Sequence, residues 1–308
     1  MRRRWITLRA NAKLNLCLEV LRRRPDGYHD LATVFQAISL GDTVRLELRN
    51  EGKGVRVVSD GWLVPQGPAN LCWRAVRQFI AALGGTGRQE TLGTLGSLAI
   101  RLVKRVPPGG GLGGGSSDAA AVLVGLNNLL GNPLSAQELL AAAASIGSDV
   151  AFFASGASAA LARGRGEQIE PLPSAEGFRA VVAWPGAPVS TAWAYGRLSS
   201  ADFSSGEAAE GLAQAMREGR SRPWLANRRN AFVRPIAEAR EDIRRLLHML
   251  AAMGGQPVSL AGSGACAWAC FPDEDAAGAA ASHLLRAGLW ACTVSSARRG
   301  VEIADVSE

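Results

Sequence analysis

The stretch PPGGGLGGGSSDAAAVLVGL, residues 107 to 126, is the part of the chain on which its fold turns. Six of the seven residues from Gly109 to Gly115 are glycine, and they run straight into a helical pattern whose first turn carries Ser116, Ser117 and Asp118. Glycine lets a backbone approach a ligand closely with its amides turned inward, and a helix start adds unpaired N–H groups and partial positive charge. The combination predicts a cradle for phosphate. Ser97 to Val106 reads as a strand ahead of it, and Ser116 to Leu130 as a long apolar helix behind it, closed by Gly131 and Pro133. Flanks this firm leave too short a loop for a linker. A Walker A loop needs a lysine before its Ser or Thr, and none precedes Ser116. Gly109, Gly111 and Gly114 match a dinucleotide fingerprint, but so glycine-rich a loop cannot avoid that spacing. No acidic residue closes a following strand, because the chain is still helical there.

Working outward, Trp5 to Leu8, Leu14 to Val20, Thr43 to Leu48 and Val55 to Val58 read as strands, with a turn at PDGY, 25 to 28. Asn70 to Leu83 is a helix with an Asn cap, ended by Gly84 and Gly85. Ser135 to Ala144 is another, with Ser135 and Glu138 spaced as a capping box. IGSDVAFFASGASAALARGRGE crosses back as a loop, a short helical turn and strands. From about Glu170 the rhythm changes. A strand at Ala180 to Ala183 is followed by a polar, Arg-rich segment, 199 to 229, of small helices and loops. Helix Ile236 to Met253, strands Pro257 to Leu260 and Ala267 to Phe271, helix Asp275 to Ala287 and strand Trp290 to Ser295 complete the pattern. This order argues for an α+β domain of split βαβ type. Two domains, 1–169 and 170–308, are expected.

The 308 residues are 47% hydrophobic and 20% charged, enough apolar material for a real core, which excludes disorder, collagen and a small disulfide scaffold. No run approaches the roughly 18 apolar residues of a membrane span, and the start lacks the apolar region and cleavage site of a signal peptide, so a cytoplasmic address is expected. Cys17, Cys72, Cys266, Cys270 and Cys292 match neither a zinc pattern nor a redox CxxC, and read as reduced thiols. The net charge of +7 suits an anionic small substrate as well as it suits nucleic acid. Of 34 basic residues only Lys13, Lys53 and Lys104 are lysine. A lysine kept in so arginine-rich a chain points to a place where a compact ammonium is wanted.

The loop resembles the phosphate-binding motif of the GHMP kinase superfamily, and its GLGGGSSDAA form is similar to the branch that acts on 4-diphosphocytidyl-2-C-methyl-D-erythritol. ANAKLNLCLEV, RRPDGYHDLATVFQAISLGD, GSDVAFF, ARGRGE and LAGSGACAWACF agree in order and place, so the resemblance spans nearly the whole chain. NAF, 230 to 232, departs from it, since the family tends to follow that Asn with an acidic residue. The implied fold is the two-domain α+β GHMP kinase fold, a ribosomal-protein-S5-domain-2-like N-terminal ATP domain followed by a ferredoxin-like split βαβ domain.

The implied chemistry is transfer of the γ-phosphoryl group of ATP, with Mg²⁺, to the C2 hydroxyl of that cytidine diphosphate alcohol. Asp149 matches the family's general base and Lys13 its electrostatic partner, while Asn15, on the same strand face, orients the acceptor. Tyr28 and His29 match residues that stack on and read the cytosine, with Tyr195 as the second aromatic wall. Pro107, Gly109, Gly110, Gly111, Leu112, Gly113, Gly114, Gly115, Ser116 and Ser117 would hold the ATP phosphates, Ser116 or Ser117 would meet the metal, and Asn70 and Lys104 lie toward the adenosine. Gly262, Ser263 and Gly264 match the loop that closes from the second domain. The partner implied is a small-molecule substrate, with no nucleic acid and no membrane, acting on a monomer or homodimer. Kinases of homoserine or mevalonate share the loop but have no cytosine to stack, so PDGYHDL discriminates against them. A noncatalytic binding module has no use for both Lys13 and Asp149.

Overall fold

The computed structural model describes residues 4–49, 54–85, 97–220, 222–223 and 229–307. Trp5 to Leu8 and Leu14 to Val20 belong to one strand, β1 (Arg4–Arg23), and its partner β2 (His29–Arg49) is equally long. The two pair antiparallel from Arg4 opposite Leu48 to Arg23 opposite His29, around the predicted turn. The patterning broke them into pieces because β1 is buried without interruption from Ala10 to Val20, where alternation has no reason to survive. Their register shifts between Asn11 and Ala12 and again between Asn15 and Cys17, so bulges bracket Lys13 and Asn15.

Around this pair a seven-stranded sheet forms. β3 (Gly54–Gly61) lies parallel to β4 (Ser97–Lys104), which pairs with the outer half of β2. β5 (Ala159–Gly164) takes the inner half of β2, and β6 (Gln168–Leu172) pairs with β5. Helices α1 (Leu71–Gly85), α2 (Gly114–Leu129), α3 (Ala136–Ile146) and α4 (Ser148–Ala154) pack together with it, joining Phe79, Leu123 and Phe152 to Ile6, Leu46 and Ile100 in one core. α2 is buried nearly all round, as its apolar sequence requires. The capping box at Ser135 and Glu138 is formed.

The second sheet holds β7 (Arg179–Trp184), β8 (Val258–Leu260), β9 (Ala267–Cys270) and β10 (Trp290–Ser295) in the order β10-β7-β9-β8, with every neighbour antiparallel. With a helix between β9 and β10, here α9 (Glu274–Arg286), this is the split βαβ pattern read from the sequence. The helix expected over 236–253 is instead α7 (Val233–Ala239) and α8 (Glu241–Ala252), parted at Arg240. Arg240 is extended, and its guanidinium pairs with Asp242 at 2.6 Å, a two-residue spacing that a continuous helix does not bring face to face. α5 (Thr191–Tyr195) and α6 (Glu207–Arg217) occupy the irregular middle. Among the described residues no helix is long and apolar enough to cross a membrane.

One further strand, β11 (Val301–Val306), had no signal in the pattern because most of its side chains are exposed. It returns to the first sheet and pairs antiparallel with β1. Asn11 fixes this junction by donating to Arg299 O and Glu302 Oε1 at 2.9 and 3.0 Å. Ending the chain after Gly300 should lower Tm by roughly 5 °C or more and promote aggregation, because it bares the β1 edge. Thermal melts with light scattering test this; an unchanged Tm would mean that β11 adds nothing to the sheet.

Candidate active site

Two cavities meet between the sheets. One, of about 500 Å³, runs from Asn70, Leu71 and Lys104 along the glycine loop to Lys13, Asn15 and Gly262. The other, of about 890 Å³, is lined by Tyr28, His29 and Tyr195 among others. They share Leu31, Ser116, Asp149, Arg165, Thr191 and Tyr195.

Lys13 stands near that junction on the bulged part of β1, only 3% exposed. Its ammonium donates to Asn15 Oδ1 at 2.8 Å, lies 3.5 Å from Asp149 Oδ2 and sits over the Phe35 ring. Asn15 Oδ1 also accepts the Gly262 amide at 3.0 Å, and Asn15 Nδ2 donates to Thr33 Oγ1 at 2.8 Å. Thr33 donates onward to Cys17 O. Asp149 enters from the first turn of α4, half exposed to the cavities. The arrangement sets a carboxylate able to take a proton beside a fixed positive charge, at the place where the two cavities join.

The glycine loop is held by its carbonyls. Leu112 O accepts the Lys13 amide, Gly109 O accepts the Val189 amide and Gly110 O accepts the Cys266 amide. The first helical bond of α2 runs from Ser117 N to Gly113 O, so the amides of Gly114, Gly115 and Ser116 precede the ladder. Loop acceptors are spent on protein while helix-start donors stay available for an anion. Gly109, Gly111 and Gly113 all have positive φ, and a Cβ on Gly111 would come within 1.8 Å of Ala261 O. Ser117 corrects the reading from sequence. Its amide is used in the helix and its hydroxyl is buried with no partner, so it faces the core and does not line either cavity. Ser116 lines both. A Cβ on Gly113 would meet Phe153 at 2.9 Å and Lys13 Cε at 3.3 Å, so that glycine clears room for protein and not directly for a ligand.

Asn70 caps α1 by accepting the Cys72 amide and donates to Pro65 O. Lys104 is enclosed by carboxylates: it donates to Asp118 Oδ2 at 2.6 Å and to Asp42 Oδ2. Asp42 Oδ1 accepts the amides of Arg105 and Val106, the two residues before the loop. Burial pushes the Asp118 carboxyl up to about 7 against the pull of Lys104, and Asp118 Oδ1 has no partner. Asp42 was not anticipated, since one Asp after a Gly in sequence carries no mark of a lysine 62 residues away.

Tyr28 is exposed, and His29 stacks on Tyr195 with ring centroids 4.8 Å apart. Burial, with the charge of Arg23 adding to it, holds the His29 imidazole below its usual value, which favours the neutral ring. Tyr195 is packed edge-on against Phe232, and burial followed by the nearby Asp149 charge raises its phenol. Gly262 and Ser263 line the first cavity, whereas Gly264 lines neither and faces Leu260 and Ile243. Asn230, which opens the departing NAF segment, donates to Leu260 O and Gly262 O and so sets that turn. Arg165, Thr191 and Leu63 line the cavities without having been singled out, because the signal lies in where the loops meet.

Residues 70–157 match the family described as GHMP kinases N terminal domain, and the fold and loop are those of that class. A homoserine kinase from Cytophaga hutchinsonii, 20% identical, shares the fold with a TM-score of 0.71 over 97% of each chain. A solved 4-(cytidine 5'-diphospho)-2C-methyl-D-erythritol kinase, 33% identical, superimposes with a TM-score of 0.75 over 95% of this chain and 100% of its own. The 4-diphosphocytidyl-2-C-methyl-D-erythritol kinase of Geobacter sulfurreducens is 38% identical over 92% of this chain and 96% of its own, and that of Pelobacter propionicus 37% identical over 94% and 98%. The chain therefore belongs to the family of 4-diphosphocytidyl-2-C-methyl-D-erythritol kinases. It is a kinase with ATP as phosphate donor and a small-molecule acceptor.

Gly113→Val should cost more than the roughly 1 to 3 kcal/mol of positive-φ strain, because the added carbons press on Phe153 and Lys13. Urea denaturation would show it, and a variant as stable as wild type would show that the loop yields freely. Asp118 keeps its proton to about pH 7 in the folded state, whereas the unfolded carboxyl loses it near 4. Wild-type stability should therefore fall as pH rises between those values, and Asp118→Asn, which has no such proton, should gain in Tm relative to wild type from pH 5 to pH 8. The reverse slope would mean that Lys104 holds Asp118 ionised throughout.

Proposed function

We propose that this chain transfers the γ-phosphoryl group of ATP to the C2 hydroxyl of 4-diphosphocytidyl-2-C-methyl-D-erythritol, giving the 2-phosphate and ADP, a step in the non-mevalonate route to isoprenoid precursors. The observation that carries the reading is the Lys13 to Asp149 distance of 3.5 Å at the meeting of a phosphate cavity with an aromatic one. Within it, Asp149 takes the proton from the acceptor hydroxyl, and Lys13 stabilises negative charge on the attacking oxygen and the transferring group. Asn15 orients the acceptor. Helix-start amides of Gly114, Gly115 and Ser116 hold the phosphates, which fixes the line of transfer. Adenosine enters the end bearing Asn70 and Lys104, and cytosine lies against Tyr28, with neutral His29 reading its polar edge and Tyr195 supporting His29 from behind.

Mg²⁺ fits this site as a companion of the nucleotide, since Ser116 presents a hydroxyl to both cavities while the described residues form no cluster of three or more His, Cys, Asp or Glu. Ser116 would help to hold such an ion, which would supply positive charge to offset that of the nucleotide's phosphates. In this reading residues 1–169 supply the reacting groups and residues 170–308 the turn that closes over them.

Asp149→Asn should lose on the order of 10²-fold or more in kcat with little change in acceptor KM. Lys13→Ala should be similarly damaged and Lys13→Arg should not recover, because a planar guanidinium fork does not reproduce the compact ammonium that meets Asn15 and Asp149. ADP release with and without the cytidine diphosphate alcohol is the assay. Near-normal turnover by folded Asp149→Asn would remove Asp149 as the base, and release that ignores the alcohol would remove the acceptor.

A further inference from the structure

We propose that Arg165 grips the diphosphate of the acceptor, the bridge between its cytidine and its methylerythritol ends; the inference rests on the acceptor identified above. Two arginines stand two residues apart in ARGRGE, and their surroundings differ. Arg163 is committed, donating to Glu210 at 2.7 and 2.9 Å and to Glu170 at 2.8 Å. Arg165 is not: its ion pair with Glu167 spans 3.9 Å, and the side chain is 40% exposed. Gly164 and Gly166, both at positive φ, flank it and put it at the tip of a turn beside Ser148. From there it lines both cavities, and its guanidinium lies 5.1 Å from the centroid of the Tyr28 ring.

The reacting end of the acceptor belongs at Asp149 and its base at Tyr28. Its diphosphate is covalently between the two, so it must pass the residue that reaches from one to the other. A guanidinium fork matches phosphate oxygens in pairs, and stacking on Tyr28 holds it extended without using its N–H donors. Charge agrees with this. Asp149 is the one carboxylate lining the aromatic cavity among the described residues, whereas Arg23 and Arg165 both line it. Because Arg165 also lines the nucleotide cavity, the γ-phosphate of ATP is the competing target; its place over Tyr28 favours the acceptor.

Calorimetric titration of wild type, Arg165→Ala and Arg165→Lys with cytidine, with CDP and with a nonhydrolysable ATP analogue tests the assignment. Wild type should prefer CDP to cytidine by about tenfold or more, and Arg165→Ala should cut that ratio to roughly threefold or less with cytidine and analogue affinities nearly kept. Arg165→Lys should restore part of the ratio. An unchanged ratio, an equal loss for cytidine and CDP, or a loss confined to the ATP analogue would each overturn the role of Arg165. Wild type that binds neither cytidine nor CDP would overturn the acceptor reading itself, and this inference with it; wild type that binds both leaves that reading standing whatever the variants do.

Discussion

A buried ammonium must be answered on every side, and the answer given to Lys13 organises this molecule. Taking a charge out of water is costly unless partners replace the water. Here they come from several elements: Asn15 from the same strand, Asp149 from α4 and the Phe35 face from β2. Asn15 also donates to Thr33 and accepts the amide of Gly262, which leaves its second Nδ2 hydrogen uncommitted among the described residues. One strand segment thus fixes the base, the strand beside it and the turn arriving from the second sheet. The bulges on either side of Lys13 and Asn15 are the local departure from regular pairing that such a hub needs.

The phosphate loop is tied to the same hub from the other direction. Lys13 donates its backbone amide to Leu112 O, and residues of the second half cap the carbonyls of Gly109 and Gly110. Gly111 lies so close to Ala261 that no side chain fits between them. A chain of glycines would otherwise be the most mobile part of the fold, losing the most entropy on ordering. Closing its acceptors against protein makes it rigid and leaves its electropositive side toward the cavity.

The scarcity of lysine finds its explanation in the same terms. Lys13 and Lys104 are both buried and both face carboxylates, in spaces where five guanidinium donors could not all be satisfied. Lys53 lies outside the described residues. The arginines do different work: Arg163 joins β5 and β6 to α6 through Glu170 and Glu210, a partly exposed network of modest energetic weight. Lys104 links Asp42 beneath the loop to Asp118 in the helix above it, and so couples the loop entrance to the helix start.

By itself the sequence determined the phosphate loop, the helices with their caps, the split βαβ order of the second half and the family, because each is written in neighbouring residues: glycine runs, Asn70 and Ser135 caps, apolar spacing and motif spelling. The family resemblance pointed to Lys13, Asn15, Asp149 and Gly262 from motifs far apart in the chain, and in the fold these four lie in contact. Only the tertiary structure decided how they are used. Ser117 turns inward while its neighbour Ser116 faces the cavities, Gly113 makes room for Phe153, and Arg240 parts a helix that the pattern joined. Asp42, Asn230 and Arg165 matter through partners that lie across the fold, and the exposed strand β11 exists only because β1 offers an edge to pair with. Local patterns record what a residue does to its own backbone and its burial. Which atom a buried charge or an orphan amide finds across the interior is settled when the elements pack.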